Sequence, residues 1–93
     1  MKIIQPSDKR ELPKAGELYR HFKGQVYCVC GFVINATNGA DSSQMVLYIP
    51  ESQIFSSYKN FYCRSIKEFL SPVDREKYPD AKQQWRFEKV NES

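Results

Sequence analysis

A chain of 93 residues has room for one hydrophobic core, so we expect a single domain and exclude two. Hydrophobic residues make up 41% and charged residues 27%, a globular composition that excludes a disordered chain. The formal charge of +3 is spread evenly, which permits a polyanionic partner but excludes the concentrated basic face of a dedicated duplex-binding domain.

The N-terminus and the apolar content bear on location. No apolar run approaches the roughly 20 residues that a membrane-spanning helix needs, and the N-terminus lacks the apolar region of a signal peptide. We therefore expect a cytoplasmic protein with no membrane attachment. The three cysteines, an odd number, then predict reduced thiols and not a disulfide framework.

The domain is expected to begin after an N-terminal lead-in. Residues 1–15 contain two prolines and no sustained hydrophobic period, whereas residues 16–90 carry the periodic segments and 91–93 form a tail. The first strand is predicted at Leu18–Phe22. A tight turn at Lys23-Gly24 follows, because glycine readily adopts positive φ.

Val26–Asn35 is the clearest strand of the sequence. Alternation puts Val26, Cys28, Cys30, Phe32 and Ile34 on one face and Tyr27, Val29, Gly31 and Val33 on the other. Both faces are apolar, which favours a central strand covered on both sides for part of its length. Gly31 suits a β-bulge or a sharp bend.

Two longer connections separate the middle strands. A polar loop within 35–43, built around Asn38-Gly39, leads to a strand at Gln44–Ile49 that Pro50 ends. The second connection lies within 50–60 and leads to a short strand at Asn60–Arg64. The role of these two loops stays open at this point.

The C-terminal third combines short helical turns with a closing strand. Ser65 stands three residues before Glu68, the spacing of a capping box, and predicts one helical turn over 66–70. A second short turn is predicted at Asp74–Tyr78 and the closing strand at Gln84–Val90. The sequence therefore predicts a mainly β domain, a small SH3-like barrel or roll of about five strands with one or two helical turns.

Several motifs in a fixed order also resemble a known family. They are Gly16-x-x-Tyr19-Arg20-His21-Phe22-Lys23-Gly24, Tyr27-x-Val29-x-Gly31, Val46-x-Tyr48, Tyr62-x-Arg64, Phe69, Val73–Pro79 and Arg86-Phe87-Glu88. Together they span about residues 13–90 and resemble the bacterial domain-of-unknown-function family numbered sixteen fifty-three. The resemblance implies an SH3-like barrel roll in cytoplasmic bacterial proteins, with no established activity and no site residues to transfer.

The chain departs from that family's pattern in three places. A short Ser-Glu-Thr-Gly-type hairpin is replaced by the longer Asn35–Ser43. The Ala-Leu-Tyr-Gly-Asp stretch that usually follows the third strand is replaced by Pro50–Asn60. Ser65 stands where the family commonly has proline. A function that resides in the family's middle loop is therefore not transferable to this chain.

His21, the only histidine, is the natural candidate for acid–base chemistry. A general base needs a nucleophile and an orienting carboxylate, and the sequence shows no local constellation of that kind. The competing interpretation is a structural histidine or one at the rim of a ligand site, and it is favoured. The sequence gives enzyme function no positive support.

The cysteines raise the question of a metal. Cys28, Cys30 and Cys63 together with His21 contain the ligand types that zinc prefers. Cys-x-Cys on a strand is, however, a poor chelate, and the pair lies among Val26, Phe32 and Ile34. Thiols in apolar surroundings commonly behave as small hydrophobic groups. We therefore predict neither a metal nor another cofactor.

Aromatic residues next to cations are the best functional lead. Rings beside cations occur in Tyr19-Arg20-His21, in Tyr62-Cys63-Arg64 and in Trp85-Arg86-Phe87. On adjacent strands such groups would form a stacking surface with anion contacts, unless most rings are core and the arginines only lie over them. The candidate ligand-binding residues are Tyr19, Arg20, His21, Tyr48, Tyr62, Arg64 and Arg86.

These observations predict a non-catalytic binding module, a monomer or weak dimer. Its expected ligand is extended and partly anionic, either a peptide or single-stranded nucleic acid. Two alternatives remain open. One is an interaction domain that joins a larger assembly through an exposed aromatic patch. The other is a regulatory domain of an enzyme, working around His21.

Overall fold

The computed structural model describes residues 10–36 and 44–90, and within them the chain is mainly β. The strands are β1 (Leu18–His21), β2 (Val26–Ile34), β3 (Gln44–Pro50), β4 (Tyr62–Ser65) and β5 (Phe87–Lys89). The helical content there is a 3₁₀ turn at Glu51–Gln53 and one turn of α-helix, α1 (Ile66–Phe69). The first nine residues of the predicted lead-in, the Asn38-Gly39 turn and the tail at 91–93 lie outside the described residues.

All five strands are antiparallel neighbours in one sheet, in the order β4-β3-β2-β1-β5. Within the described ranges no hydrogen-bonded ladder joins β4 to β5. The predicted mainly β domain of five strands is therefore confirmed. Closure into an SH3-like barrel is not observed and stays a prediction.

A glycine turn connects β1 to β2, as the sequence predicted. Gly24 has a φ of +110°, and its N–H donates to the His21 carbonyl at 2.7 Å. The strand ends one residue earlier than expected, at His21. Phe22 leaves the ladder, but its N–H still donates to the Arg86 carbonyl at 2.9 Å.

The predicted bulge lies in β2 and corrects one expectation about its faces. The register shifts between Val29, which pairs with Tyr48, and Gly31, which pairs with Leu47. Beyond the shift Phe32 pairs with Val46, so it lies on the same face as Val29. The prediction that Phe32 and Ile34 share a face with Cys28 was wrong, because the bulge inserts one extra residue into the alternation.

The hydrophobic core lies on one face of the sheet, here called the inner face. Its buried members are Tyr19, Val29, Val46, Tyr48, Phe69, Leu70 and Phe87. Helix α1 places Phe69 directly on this face, where its ring stacks on Phe87 at a centroid distance of 4.2 Å. Burying each large side chain contributes about 1.5–3 kcal/mol, so α1 and the sheet depend on each other for stability.

Ser65 caps the first turn of α1, which is one half of the predicted capping box. The Ser65 Oγ accepts a hydrogen bond from the Glu68 N–H at 3.1 Å. The second predicted turn, at Asp74–Tyr78, is a single hydrogen-bonded turn and not a regular helix: the Tyr78 N–H donates to the Asp74 carbonyl at 2.9 Å.

Strand β5 is shorter than the predicted Gln84–Val90. The Glu88 carboxylate accepts the N–H groups of Gln84 and Trp85, at 3.1 and 3.2 Å. These two amides are therefore bound to a side chain, and Trp85 forms only an isolated bridge with Pro72. Regular pairing with β1 begins at Phe87.

Within residues 10–36 and 44–90, no helix combines the length and the apolar character that a membrane-spanning helix requires.

Candidate ligand-binding site

Three tyrosines lie together on the inner face, and we call them the tyrosine cluster: Tyr27, Tyr48 and Tyr62. Strand pairing sets Tyr48 opposite Tyr62. Their ring centroids are 5.7 Å apart, and Tyr27 lies 5.2 Å from Tyr48 and 5.9 Å from Tyr62. Tyr48 is only 3% exposed, whereas Tyr62 is 44% exposed. Tyr62 therefore presents the flat surface of the cluster, on a support of two further rings.

Arg64 lies on the same face, because alternate residues of a strand point the same way. Its Nε donates to the Tyr48 Oη at 2.9 Å, and its guanidinium carbon lies 5.8 Å from the centre of the Phe87 ring. A loose contact of 3.9 Å joins it to Glu68. The side chain is 33% exposed, so the outer guanidinium N–H groups can reach a ligand.

His21 lies beside this arginine as a neutral ring. It packs edge-on against Phe87 at a centroid distance of 5.0 Å, and its Nδ1 accepts the Lys23 N–H at 3.1 Å. Burial, helped by the positive charges of Arg64, Arg86 and Lys23, lowers the pKa of His21 to about 4. With Nδ1 accepting, the neutral ring carries its proton on Nε2 and offers a hydrogen-bond donor.

Two further cations complete the site. Arg86 is half-buried and held by a hydrogen bond from its Nε to the Ser71 Oγ at 3.2 Å. The Lys23 ammonium lies 5.2 Å from the centre of the Tyr78 ring. Both act electrostatically on His21, as Arg64 does. The site is therefore a neutral histidine and a tyrosine cluster surrounded by fixed positive charge.

The phenols of Tyr27 and Tyr48 stay protonated at neutral pH. Burial raises the pKa of Tyr27 and of Tyr48 above the usual value, although the nearby Arg64 opposes the shift at both. The Tyr27 hydroxyl donates to the Gln25 Oε1 at 3.1 Å. The Tyr48 hydroxyl accepts from Arg64 and so keeps its own proton to donate.

Five of the seven predicted site residues come together here: His21, Tyr48, Tyr62, Arg64 and Arg86. Tyr19 does not; it is 4% exposed, its ring packs against Phe69 at 5.2 Å, and its hydroxyl donates to the Glu17 Oε1 at 3.3 Å. Arg20 is exposed on the opposite face, where it pairs with Val26 and Glu88.

Sequence reasoning missed two aromatic residues of the site, Tyr27 and Phe87. Alternation had placed Tyr27 on the face of Val29. Tyr27 pairs with Tyr19 across the β1–β2 turn, so it lies on the same face as that predicted site residue, and this pairing is the signal that could have added Tyr27 to the site. Tyr48 also has a different role from the expected flat surface. Its ring is covered, and it contributes the hydroxyl that holds Arg64.

The cysteines lie apart from His21. Cys28 pairs with Ile49 and Cys63 with Leu47, on the outer face, whereas His21 pairs with Phe87 on the inner face. Across the part of the chain that the structure describes, no three histidine, cysteine or acidic side chains converge as metal ligands would. Burial raises the pKa of Cys28 and of Cys30, which keeps these thiols protonated and poorly reactive.

A shallow depression lies elsewhere on the surface. It is lined by Gly16, Glu17, Leu18, Cys28, Ile54, Lys89 and Val90. Its charged groups, Glu17 and Lys89, pair with each other at 2.8 Å and are therefore already satisfied. The tyrosine cluster, with the partly exposed guanidinium of Arg64 beside it, is the better candidate for a ligand site.

Comparison with known proteins identifies the family. The model of the family described as "Protein of unknown function (DUF1653)" matches residues 17–89, so the chain belongs to this family, as its motifs predicted. Every residue of the candidate site lies within the match. A search of curated proteins and a search of solved structures each found no match to the chain. The function must therefore be argued from the site itself.

Proposed function

We propose that this protein is a non-catalytic binding module that holds an extended, anionic ligand on its inner face at the tyrosine cluster. The observation that carries the proposal is the exposed ring of Tyr62 beside Arg64, whose guanidinium is anchored by the Tyr48 hydroxyl. The family resemblance suggests the bacterial cytoplasm as its location. We further propose that the module is a monomer or weak dimer.

The charges around the site favour an anion over other ligands. Arg64, Arg86 and Lys23 would repel a cationic group, so the rings do not form a cage for a quaternary ammonium. A purely apolar ligand would cover Arg64 without pairing it, which is costly. A phosphate or carboxylate group instead gains charge-assisted hydrogen bonds from guanidinium donors.

The site is also pre-organised. Arg64 is held by Tyr48, and Arg86 by Ser71, before any ligand arrives. Side chains that are already ordered lose less conformational entropy on binding. This lowers the free-energy cost of binding by about 0.5–1.5 kcal/mol for each side chain. A planar group stacked on Tyr62 would add about 1–3 kcal/mol. These terms support binding as the function of the site.

The surroundings of His21 argue for binding and against catalysis. A catalytic histidine is commonly oriented by a carboxylate that stabilises its protonated form. At His21 burial, together with the cations Arg64, Arg86 and Lys23, instead favours the neutral form. The neutral ring can donate through Nε2, but it is a weak base.

The proposal is tested with two polyanions of about ten units, a single-stranded oligonucleotide and a polyglutamate peptide, each labelled for fluorescence anisotropy. We expect Tyr62→Ala and Arg64→Gln to weaken binding of the bound probe about tenfold, or about 1.4 kcal/mol. Tyr58→Ala, at a ring that is 88% exposed on the β3–β4 connection, and Arg20→Gln on the opposite face are the matched controls. If neither probe binds the native protein, or if the controls weaken binding equally, the proposal is wrong.

A second candidate function, an interaction domain, rests on the connection between β3 and β4. Phe55 is 99% exposed and Phe61 58% exposed, although this loop is ordered by hydrogen bonds such as that from the Asn60 N–H to the Gln53 Oε1 at 2.7 Å. An ordered loop that displays rings suits a protein partner. Sedimentation over a range of concentrations tests whether the native protein self-associates through this loop. We expect Phe55→Ser to abolish that association. A native protein that is monomeric at every concentration would exclude self-association.

A further inference from the structure

Two exposed tyrosines lie at opposite ends of a continuous series of ring contacts, which we call the ring track. The track runs through Tyr62, Tyr27, Phe87, His21, Phe22 and Tyr78. Successive centroids are 5.9, 5.9, 5.0, 4.4 and 4.8 Å apart. Tyr62 is 44% exposed and Tyr78 37% exposed, whereas Phe87 in the middle is buried. The packed rings between them therefore fix the separation of the two exposed tyrosines.

Cations lie along the track between its two exposed ends. The Arg64 guanidinium carbon lies 5.8 Å from the centre of the Phe87 ring, near the middle, and the Lys23 ammonium lies 5.2 Å from the centre of the Tyr78 ring. His21, also near the middle, experiences the charges of both and of Arg86. The positive charge therefore lies in the part of the track that separates Tyr62 from the Tyr78 end.

We propose that the ring track binds a segment of single-stranded nucleic acid. One base stacks on Tyr62 and another on Tyr78, and the intervening phosphates contact Arg64, Arg86 and Lys23. This inference rests on the proposed function and specifies its ligand.

The presence of exposed rings together with cations distinguishes this ligand from an acidic peptide. A single strand repeats one planar base and one anionic phosphate per unit, which matches both kinds of group. A run of acidic residues would pair with the cations but would leave the two exposed rings without planar partners. In a duplex the bases are already stacked on one another, so they cannot lie on tyrosine rings.

The cations also predict how binding depends on salt. The competing contact of Arg64 with Glu68 is long, at 3.9 Å, and solvent-exposed, so opening it costs little. Three phosphate contacts on a single strand correspond to a slope of about −2 for the logarithm of the binding constant against the logarithm of salt concentration. Lys23→Gln should reduce that slope by about 0.7.

The test uses the full chain and fluorescence anisotropy with a mixed-sequence oligonucleotide of about ten nucleotides. The comparison probes are its duplex, an oligonucleotide of equal length without bases, and the polyglutamate peptide. We expect Tyr62→Ala and Tyr78→Leu each to weaken single-strand binding about 5- to 100-fold and to leave binding of the baseless strand unchanged. Tyr78→Leu keeps apolar packing against Phe22, and Tyr58→Ala is the exposed-tyrosine control. Thermal unfolding of each variant shows that the fold persists.

The outcomes separate this inference from the proposed function. Polyglutamate binding that is as tight as single-strand binding, and that Tyr62→Ala weakens, would leave the proposed function intact and overturn the nucleic-acid assignment. Equal affinity for the duplex would also overturn the assignment. An unchanged affinity in Tyr78→Leu would overturn the two-base track. If neither polyanion binds, the proposed function fails together with the inference.

Discussion

The Nε of Arg64 donates to the hydroxyl of Tyr48 at 2.9 Å, and this hydrogen bond joins the buried core to the ligand site. The Tyr48 ring is part of the core, packed 5.6 Å from Phe69 and 5.4 Å from Phe87. The Tyr48 hydroxyl, at the far end of the ring, makes the hydrogen bond with Arg64. A core residue thus sets the position of the arginine that shares a face with Tyr62.

Removing that hydroxyl should affect binding more than folding. Tyr48→Phe keeps the ring and its packing but leaves Arg64 without its anchor, so ligand binding must then restrain a mobile side chain. We expect about 3- to 10-fold weaker binding of the anionic probe and a loss of about 0.5–1.5 kcal/mol in the free energy of unfolding. Anisotropy titration and urea unfolding measure the two quantities.

The matched control for this change is Tyr19→Phe. Tyr19 is equally buried, and its hydroxyl also makes a side-chain hydrogen bond, to Glu17, away from the ligand site. Its loss should lower stability by a similar amount and leave affinity unchanged. Equal weakening of binding in both variants would show that the Tyr48 hydroxyl acts only through general stability.

A second prediction concerns acid stability. The folded protein lowers the pKa of His21 from the usual 6.5 to about 4, so between these pH values the unfolded chain binds the extra proton. The free energy of unfolding should therefore fall as the pH is lowered from about 6.5 to about 4, by about 1–3 kcal/mol for a partly solvated ring. Urea unfolding at a series of pH values measures this loss.

His21→Asn provides the comparison, because its Oδ1 can replace Nδ1 as acceptor for the Lys23 N–H. The variant should be less stable at neutral pH but should lack the His21 contribution to the slope between about pH 6.5 and 4. Carboxylates such as Glu17, whose pKa is lowered by Lys89, contribute in both proteins and cancel in the comparison. Identical slopes in the two proteins would contradict the assignment.

Local patterns predicted the parts of the fold that depend on neighbours in sequence. The Ser65–Glu68 spacing located α1, and alternation with Gly31 located β2 and its bulge. The faces beyond the bulge were wrong because one extra residue reverses the alternation, and the sequence does not show which residue is inserted. The predicted closing strand was longer than β5 because the Glu88 carboxylate binds backbone amides before Phe87. Hydrophobic periodicity gives no sign of this contact.

The site was predictable in part for the same reason. Arg64 follows Tyr62 by two residues, so their common face follows from strand geometry alone. Arg20 is adjacent to His21, and the same geometry puts it on the opposite face, as observed. Tyr19, however, is covered by Phe69, a contact between distant parts of the chain that no local pattern reveals.

The bulge in β2 provides a third prediction. Gly31 has a φ of +151°, and a Cβ added there would meet no atom within 4 Å, so a substitution is opposed by backbone strain and not by crowding. We expect Gly31→Ala to lower the free energy of unfolding by about 1–3 kcal/mol. Gly31→Val should cost more, because a β-branched residue tolerates positive φ least. Chemical denaturation measures the stability of both variants. Stabilities equal to that of the native protein would contradict this account.

The cap of α1 gives the last prediction. The Ser65 Oγ accepts the Glu68 N–H at 3.1 Å and begins the single helical turn that carries Phe69 onto the core. Ser65→Ala leaves this N–H without its partner, and we expect a loss of about 1 kcal/mol in the free energy of unfolding, measured by urea denaturation. Ser65→Asp keeps an acceptor oxygen at the cap and should retain most of the stability.

Because Phe69 packs against Phe87 and Tyr48, a loosened turn should also weaken binding at the tyrosine cluster in the alanine variant. Equal stability of the alanine and aspartate variants would mean that packing of Phe69, and not the cap, holds this turn in place.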